Sequence, residues 1–180
     1  MRTFIALRIP TDQSLIRPIE DLSSTGGMRT YGPTGLHITL SFIGEIEEKC
    51  IPNIIDALTE AVKGINPFNI TLKGMNSFPG KNGPRIVWIG TESDGILETL
   101  AERLAECLKT RDIEYDVVKF VPHITVGRAL DGLGSSNVVS VIEKYSETEF
   151  FKFVCDKLTV YSSELRPEGP IHKAISHVML

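Results

Sequence analysis

The chain has only three cysteines, four histidines and one tryptophan among its 180 residues, and no surplus of positive charge. Cys50, Cys107 and Cys155 are odd in number and widely scattered, which excludes a disulfide framework and the paired spacing of a cysteine metal site. Buried, inert thiols are the expectation. The formal net charge of −4 excludes a protein that coats nucleic acid by bulk electrostatics. Any nucleic-acid contact must then be local, such as the end of a strand. Long hydrophobic runs are missing as well: the opening "MRTFIALRIP" is interrupted by Arg8 before it reaches the length of a secretory signal or a membrane span. A cytoplasmic protein without membrane association is expected.

What remains is an ordinary globular composition, 42% hydrophobic and 23% charged, with no low-complexity segment and no interdomain linker. A chain of this size forms one domain or two tightly packed lobes. Alternation of apolar residues predicts strands in "TFIALRI", "HITLSFIG", "FNITLKGM", "RIVWIG", "HITVG" and "FVCDKLTVY", with a seventh in "IHKAISHVML". Helices are predicted over "ILETLAERLAECL", where Leu97, Leu100, Leu104 and Leu108 share a face, and over "IPNIIDALTEAV", which has Pro52 near its start. "DQSLIRPIEDL", with Pro18 inside it, and "SNVVSVIEKYS" give two weaker helical patterns. "FPGKNGP" reads as a loop or long hairpin turn and "DGLGSSN" as a polar loop.

Two of the four histidines open nearly identical stretches, "HITLSF" at His37 and "HITVGR" at His123. Each follows a proline-containing turn and each starts a predicted strand. Their separation is about half the chain, which suggests two facing lobes of related construction. Period-two alternation puts His37, Thr39 and Ser41 on one face of a strand, with Ile38, Leu40 and Phe42 on the other. The same parity pairs His123 with Thr125.

Two imidazoles and two hydroxyls in one cleft suit metal-free phosphoester cleavage. A neutral histidine takes a proton from attacking water while a protonated one gives a proton to the leaving oxygen. The threonines can donate to non-bridging phosphate oxygens, and a guanidinium can hold the developing charge. Arg128 is the candidate, although strict alternation puts it on the wrong face. Gly127 just before it predicts a bulge that turns it back. No third histidine, cysteine or carboxylate is spaced to complete a zinc site, so neither metal nor other cofactor is expected. His172 and His177 read as surface or structural residues, and Arg85 as a solvated strand end or part of a substrate groove.

At these motifs the chain resembles the 2H phosphoesterase superfamily, and more narrowly the RNA 2′,3′-cyclic phosphodiesterases historically called 2′-5′ RNA ligases. The blocks "MRTFIALRIP", "GLHITLSFIGEI", "PFNITLKGMNSFPGKNGPRIVWIG", "KFVPHITVGRAL" and "LTVYSSELRPEGPIHKAISHVML" follow the family order over nearly the whole chain. The resemblance implies an α+β fold in which residues 1–180 form a single domain of two pseudo-twofold-related lobes. Each lobe is an antiparallel sheet with outer helices, each carries one His-x-Thr motif, and the two enclose a central cleft. It implies hydrolysis of the 2′,3′-cyclic phosphate at an RNA end to a 2′-phosphate, with His37 as general acid and His123 as general base. Thr39, Thr125 and Arg128 then bind the phosphate. Joining of cyclic-phosphate and 5′-hydroxyl RNA ends through a 2′-5′ linkage is implied as a further reaction. The closing "GPIHKAI" departs from the family, which carries an aromatic residue in the place of His172.

The expected partner is an RNA end, with tRNA-derived ends among the candidates, acted on by a monomer. Two alternatives stand beside it. One is hydrolysis of a small cyclic phosphate such as ADP-ribose 1″,2″-cyclic phosphate, distinguished by the lack of a basic groove built from Arg85, Lys73, Lys81 or Arg166. The other is a binding protein for phosphorylated RNA ends, which would have no need of a matched acid and base.

Overall fold

Nine strands and four helices alternate along the chain in a computed structural model that describes residues 1–166 and 169–180. The strands are β1 (Arg2–Arg8), β2 (Met28–Thr30), β3 (His37–Glu45), β4 (Phe68–Gly80), β5 (Gly83–Glu92), β6 (His123–Ala129), β7 (Glu149–Cys155), β8 (Lys157–Glu164) and β9 (Ile171–Met179). The helices are α1 (Ile16–Ser23), α2 (Ile51–Ala61), α3 (Ile96–Lys109) and α4 (Val139–Tyr145). This is the α+β class expected.

All strand pairs are antiparallel and belong to one sheet of order β7-β4-β5-β6-β3-β1-β8-β9, with β2 added to β6. The strands β7-β4-β5-β6 and β3-β1-β8-β9 meet at the β3–β6 seam. Among the described residues a single pair, Ile38 opposite Ile124, makes that seam. Both side chains are fully buried.

The helices cover the face from which Ile5, Leu7, Ile38, Ile70, Val87, Ile89, Ile124 and Val160 project, and their apolar stripes complete the core. In α3 the stripe is Leu97, Leu100, Ala101, Leu104 and Leu108, and its first turn is capped by the Ser93 hydroxyl, which accepts from the Leu97 amide at 3.1 Å. Pro18 lies in the first turn of α1, where an amide proton has no intrahelical acceptor to lose, so the helix runs through it.

Local chemistry explains three departures from the alternation pattern. "FVCDKLTVY" is two strands, because Asp156 breaks the run between β7 and β8. "FPGKNGP" belongs mostly to strands: β4 and β5 continue to Gly80 and Gly83, leaving Lys81 and Asn82 as the turn. β2, only three residues long, has too little sequence to show a period. Of the three free cysteines, Cys155 is buried, and desolvation pushes its thiol up to about 11, whereas Cys50 and Cys107 are only partly buried. No helix among the described residues is long and apolar enough to cross a membrane.

Candidate active site

His37 and His123 are the first residues of β3 and β6, and both rings are fixed in the same way. Each Nδ1 meets the carbonyl oxygen two residues upstream, at 3.2 Å to Gly35 for His37 and 2.6 Å to Val121 for His123. A carbonyl only accepts, so Nδ1–H is the donor and Nε2 is left as the free nitrogen in each ring. At Gly35 the backbone has φ +86°, a region that a side chain disfavours.

The register around the two motifs is also the same. On β3, Thr39 sits opposite Ala6 and Ser41 opposite Ile5, which leaves Leu40 as an extra residue. On β6, Thr125 sits opposite Trp88 and Gly127 opposite Val87, which leaves Val126 as an extra residue. A bulge therefore follows the threonine in both strands, and the carbonyl of Val126 is satisfied by the Tyr31 amide at 2.9 Å. Val126 and Gly127 are both buried, and Arg128 emerges on the side of His123 and Thr125. The irregularity expected at Gly127 is present.

The same device corrects the reading of the first motif. Strict alternation put Ser41 with His37 and Phe42 on the core face. The bulge at Leu40 reverses this: the Ser41 hydroxyl is buried without a hydrogen-bond partner among the described residues, and Phe42 is 40% exposed. Phe42 consequently occupies on β3 the place that Arg128 occupies on β6. The sequence signal was the sixth position of each motif, Phe in "HITLSF" and Arg in "HITVGR".

Aromatic rings pack on both imidazoles. Phe4 and His172 lie 5.3 and 5.2 Å from His37, centroid to centroid, and Phe78 and Trp88 lie 5.1 and 5.6 Å from His123. Phe4 sits opposite Phe42, whereas His37 sits opposite Arg8, four residues further along β1. A flat strand would separate those backbone positions by about 13 Å, so the two side chains lean toward one another across the small Ala6.

Burial lowers the proton affinity of both histidines below the ordinary value, against the raising effect of their carbonyl bonds. His37 is lowered further by the charge of His123, and His123 by that of Arg128. These charges are near enough to act on one another.

The remaining candidates fall into two groups. His172, read from sequence as surface or structural, is against His37, while His177 shares a 2.8 Å hydrogen bond with the Thr159 hydroxyl. Of the cations considered for a groove, Lys73 is paired with Glu92 at 3.6 Å and Arg166 with Glu164 at 3.0 Å, while Arg85 and Lys81 are exposed near the β4–β5 turn. Among the described residues no three His, Cys, Asp or Glu side chains converge as a metal-ligand set.

A family model for the 2′-5′ RNA ligase superfamily matches residues 11–166. A protein of Archaeoglobus fulgidus named RNA 2′,3′-cyclic phosphodiesterase is 35% identical over 177 residues, covering 96% of this chain and 97% of its own. One of the same name from Thermotoga maritima is 34% identical over 181 residues, covering 97% and 93% of the two chains. The chain belongs to the 2′-5′ RNA ligase superfamily. This 2H phosphoesterase shares its fold with a Thermus thermophilus protein, TT0787, at a TM-score of 0.77 and 24% identity over 100% of this chain and 98% of that one. It also shares it with E. coli LigT, solved with 3′-AMP, at a TM-score of 0.76 and 19% identity over 99% and 97% of the two chains.

Proposed function

We propose that this 2H phosphoesterase hydrolyses the 2′,3′-cyclic phosphate at an RNA end to a 2′-phosphate, using its two histidines as acid and base. The observation that carries the reading is the matched pair of imidazoles. Each has Nδ1 committed to a backbone carbonyl and Nε2 free, and each starts a strand at the same register beside the Ile38–Ile124 seam.

His123 Nε2 takes a proton from water as the water oxygen forms its bond to phosphorus. The bond from phosphorus to O3′ breaks, and O3′ leaves with the proton of His37 Nε2. Water is thereby divided between the phosphate and the 3′-hydroxyl, and exchange with solvent restores both rings. Thr39 and Thr125 donate to the non-bridging oxygens, and Arg128 offers a forked donor to the charge that grows on them. With an RNA 5′-hydroxyl in place of water, the same groups would give a 2′-5′ linkage.

Phe42 gives the nucleobase a surface. It is an exposed ring at the position matching Arg128, and a ring stacks on any base without reading its sequence. Gripping a terminus in this way suits a chain of net charge −4. Both motifs lie in one chain, so a monomer in the cytoplasm acting on RNA ends, tRNA-derived ends among them, suffices for this reading.

The test is turnover of an oligoribonucleotide ending in a 2′,3′-cyclic phosphate, with EDTA present, by the wild type, His37→Ala and His123→Ala. Conversion to the 2′-phosphate by the wild type, with a loss of about 10²-fold or more in each variant, is expected. Binding without turnover by the wild type would overturn the catalytic reading, and turnover of ADP-ribose 1″,2″-cyclic phosphate alone would replace the substrate.

A further inference from the structure

His172 is three strands away from β3, on β9, with β1 and β8 between, yet its ring lies edge-on to His37, with centroids 5.2 Å apart and planes at 82°. Phe4 completes a triangle, at 4.9 Å from His172 and 5.3 Å from His37, and is itself backed by Tyr161, stacked at 5.2 Å. The register explains why His172 faces this way: it sits opposite Ser163 of β8, which sits opposite Arg2 of β1, two residues from Phe4 on the same face. The free Nε2 of His37 must point at the scissile phosphate, and a single hydrogen bond at Nδ1 leaves the ring free to swing about that contact. Two ring contacts from different strands remove the swing.

We propose that His172 is a positioning residue for His37, holding the imidazole, together with Phe4, in the orientation that presents Nε2 to the leaving oxygen. The inference rests on the reading of His37 as general acid. A phenyl ring at this place would hold the imidazole equally well but could not take up charge. His172 can, and a proton on it opposes a proton on His37.

The titratable and charged groups around His172 are His37 from β3, Arg2 from β1, and Tyr161 and Glu164 from β8, the last paired with Arg166. Lys173 follows it on β9. Desolvation and the charge of His37 both lower its proton affinity.

The experiment measures kcat, KM and the pH profile of kcat/KM for wild type, His172→Ala, His172→Phe and His37→Ala on the cyclic-phosphate oligonucleotide, with thermal midpoints checked. In His172→Ala, kcat should fall about tenfold with KM within about twofold, because the group made loose acts only in the transition state. His172→Phe should restore kcat with KM unchanged, since a phenyl ring fills the same place against His37. Wild-type kcat and pH profile in both His172 variants, with His37→Ala inactive, would overturn this inference and leave the acid assignment standing. A folded His172→Phe as slow as His172→Ala would overturn it too, pointing to direct chemistry by the imidazole. Full activity in His37→Ala would remove the acid assignment and the positioning role with it.

Discussion

Phe42 stands in β3 where Arg128 stands in β6, each delivered to the histidine face by a bulge one residue beyond the motif threonine. The two halves of the site are alike in backbone and in histidine, and they differ in chemistry at this place. An aromatic ring beside the proposed acid and a guanidinium beside the proposed base divide the labour. The ring can hold a base, while the cation can hold a phosphate.

That division predicts different kinetic losses. Arg128→Ala should lower kcat by about 10²-fold to 10³-fold, as removal of a donor to developing charge does. Phe42→Ala should act mainly on KM, raising it about tenfold, in line with about 1–3 kcal/mol for stacking on one base. Steady-state kinetics on a short cyclic-phosphate oligonucleotide separate the two. Equal effects of both variants on kcat would show that Phe42 is not a binding surface.

Gly127 is a packing requirement as well as a bulge. A methyl group there would lie 2.9 Å from Leu22 Cδ2 of α1. Gly127→Ala should cost about 1–3 kcal/mol of stability, the usual penalty of overpacking. Combining it with Leu22→Ala should recover part of that loss, because the methyl then fills space that leucine has vacated. Urea unfolding of the two single variants and the double variant measures the coupling.

These two residues also show what local sequence encodes. Period two placed His37, Thr39, His123 and Thr125 on one face, because alternation is a property of the strand itself. Gly127 announced its bulge, since glycine weakens a ladder. The matching bulge at Leu40 has no such marker in "HITLSF", so Ser41 and Phe42 were assigned to the wrong faces. His172 was hidden for another reason. Its contact with His37 depends on the order and register of β3, β1, β8 and β9, and no window of sequence contains that.

Protonation gives a prediction with two readouts. Both His37 and His123 titrate below the ordinary value of about 6.5. The profile of kcat/KM reports the free enzyme, so it should peak on the acid side of neutrality and fall as pH rises and the acid loses its proton. Stability has the opposite sense. The unfolded chain binds protons more readily at these sites, so their contribution is full above about pH 6.5 and is lost as pH falls through the lowered native values. Thermal midpoints between pH 8 and pH 5 should drop less in a His37→Gln, His123→Gln double variant than in the wild type.

The seam through Ile38 and Ile124 couples folding to chemistry. Each of these residues is fully buried and lies one position from a proposed catalytic histidine, and among the described residues no other pair joins β3 to β6. Ile124→Val removes one methylene and should cost about 0.5–1.5 kcal/mol, whereas Ile124→Ala opens a cavity and should cost about 2–5 kcal/mol. The smaller change leaves the strands in register, so kcat should stay within about threefold of wild type, whereas the larger lets β6 settle toward α1 and moves His123 relative to His37. A misplacement of about 1 Å between acid and base is enough to cost about 10²-fold in rate. Measured well below the melting temperature of each protein, kcat should therefore fall far more steeply than the folded fraction does in Ile124→Ala. A loss of rate no larger than the loss of folded protein would show that the seam holds the sheet together without setting the distance between the histidines.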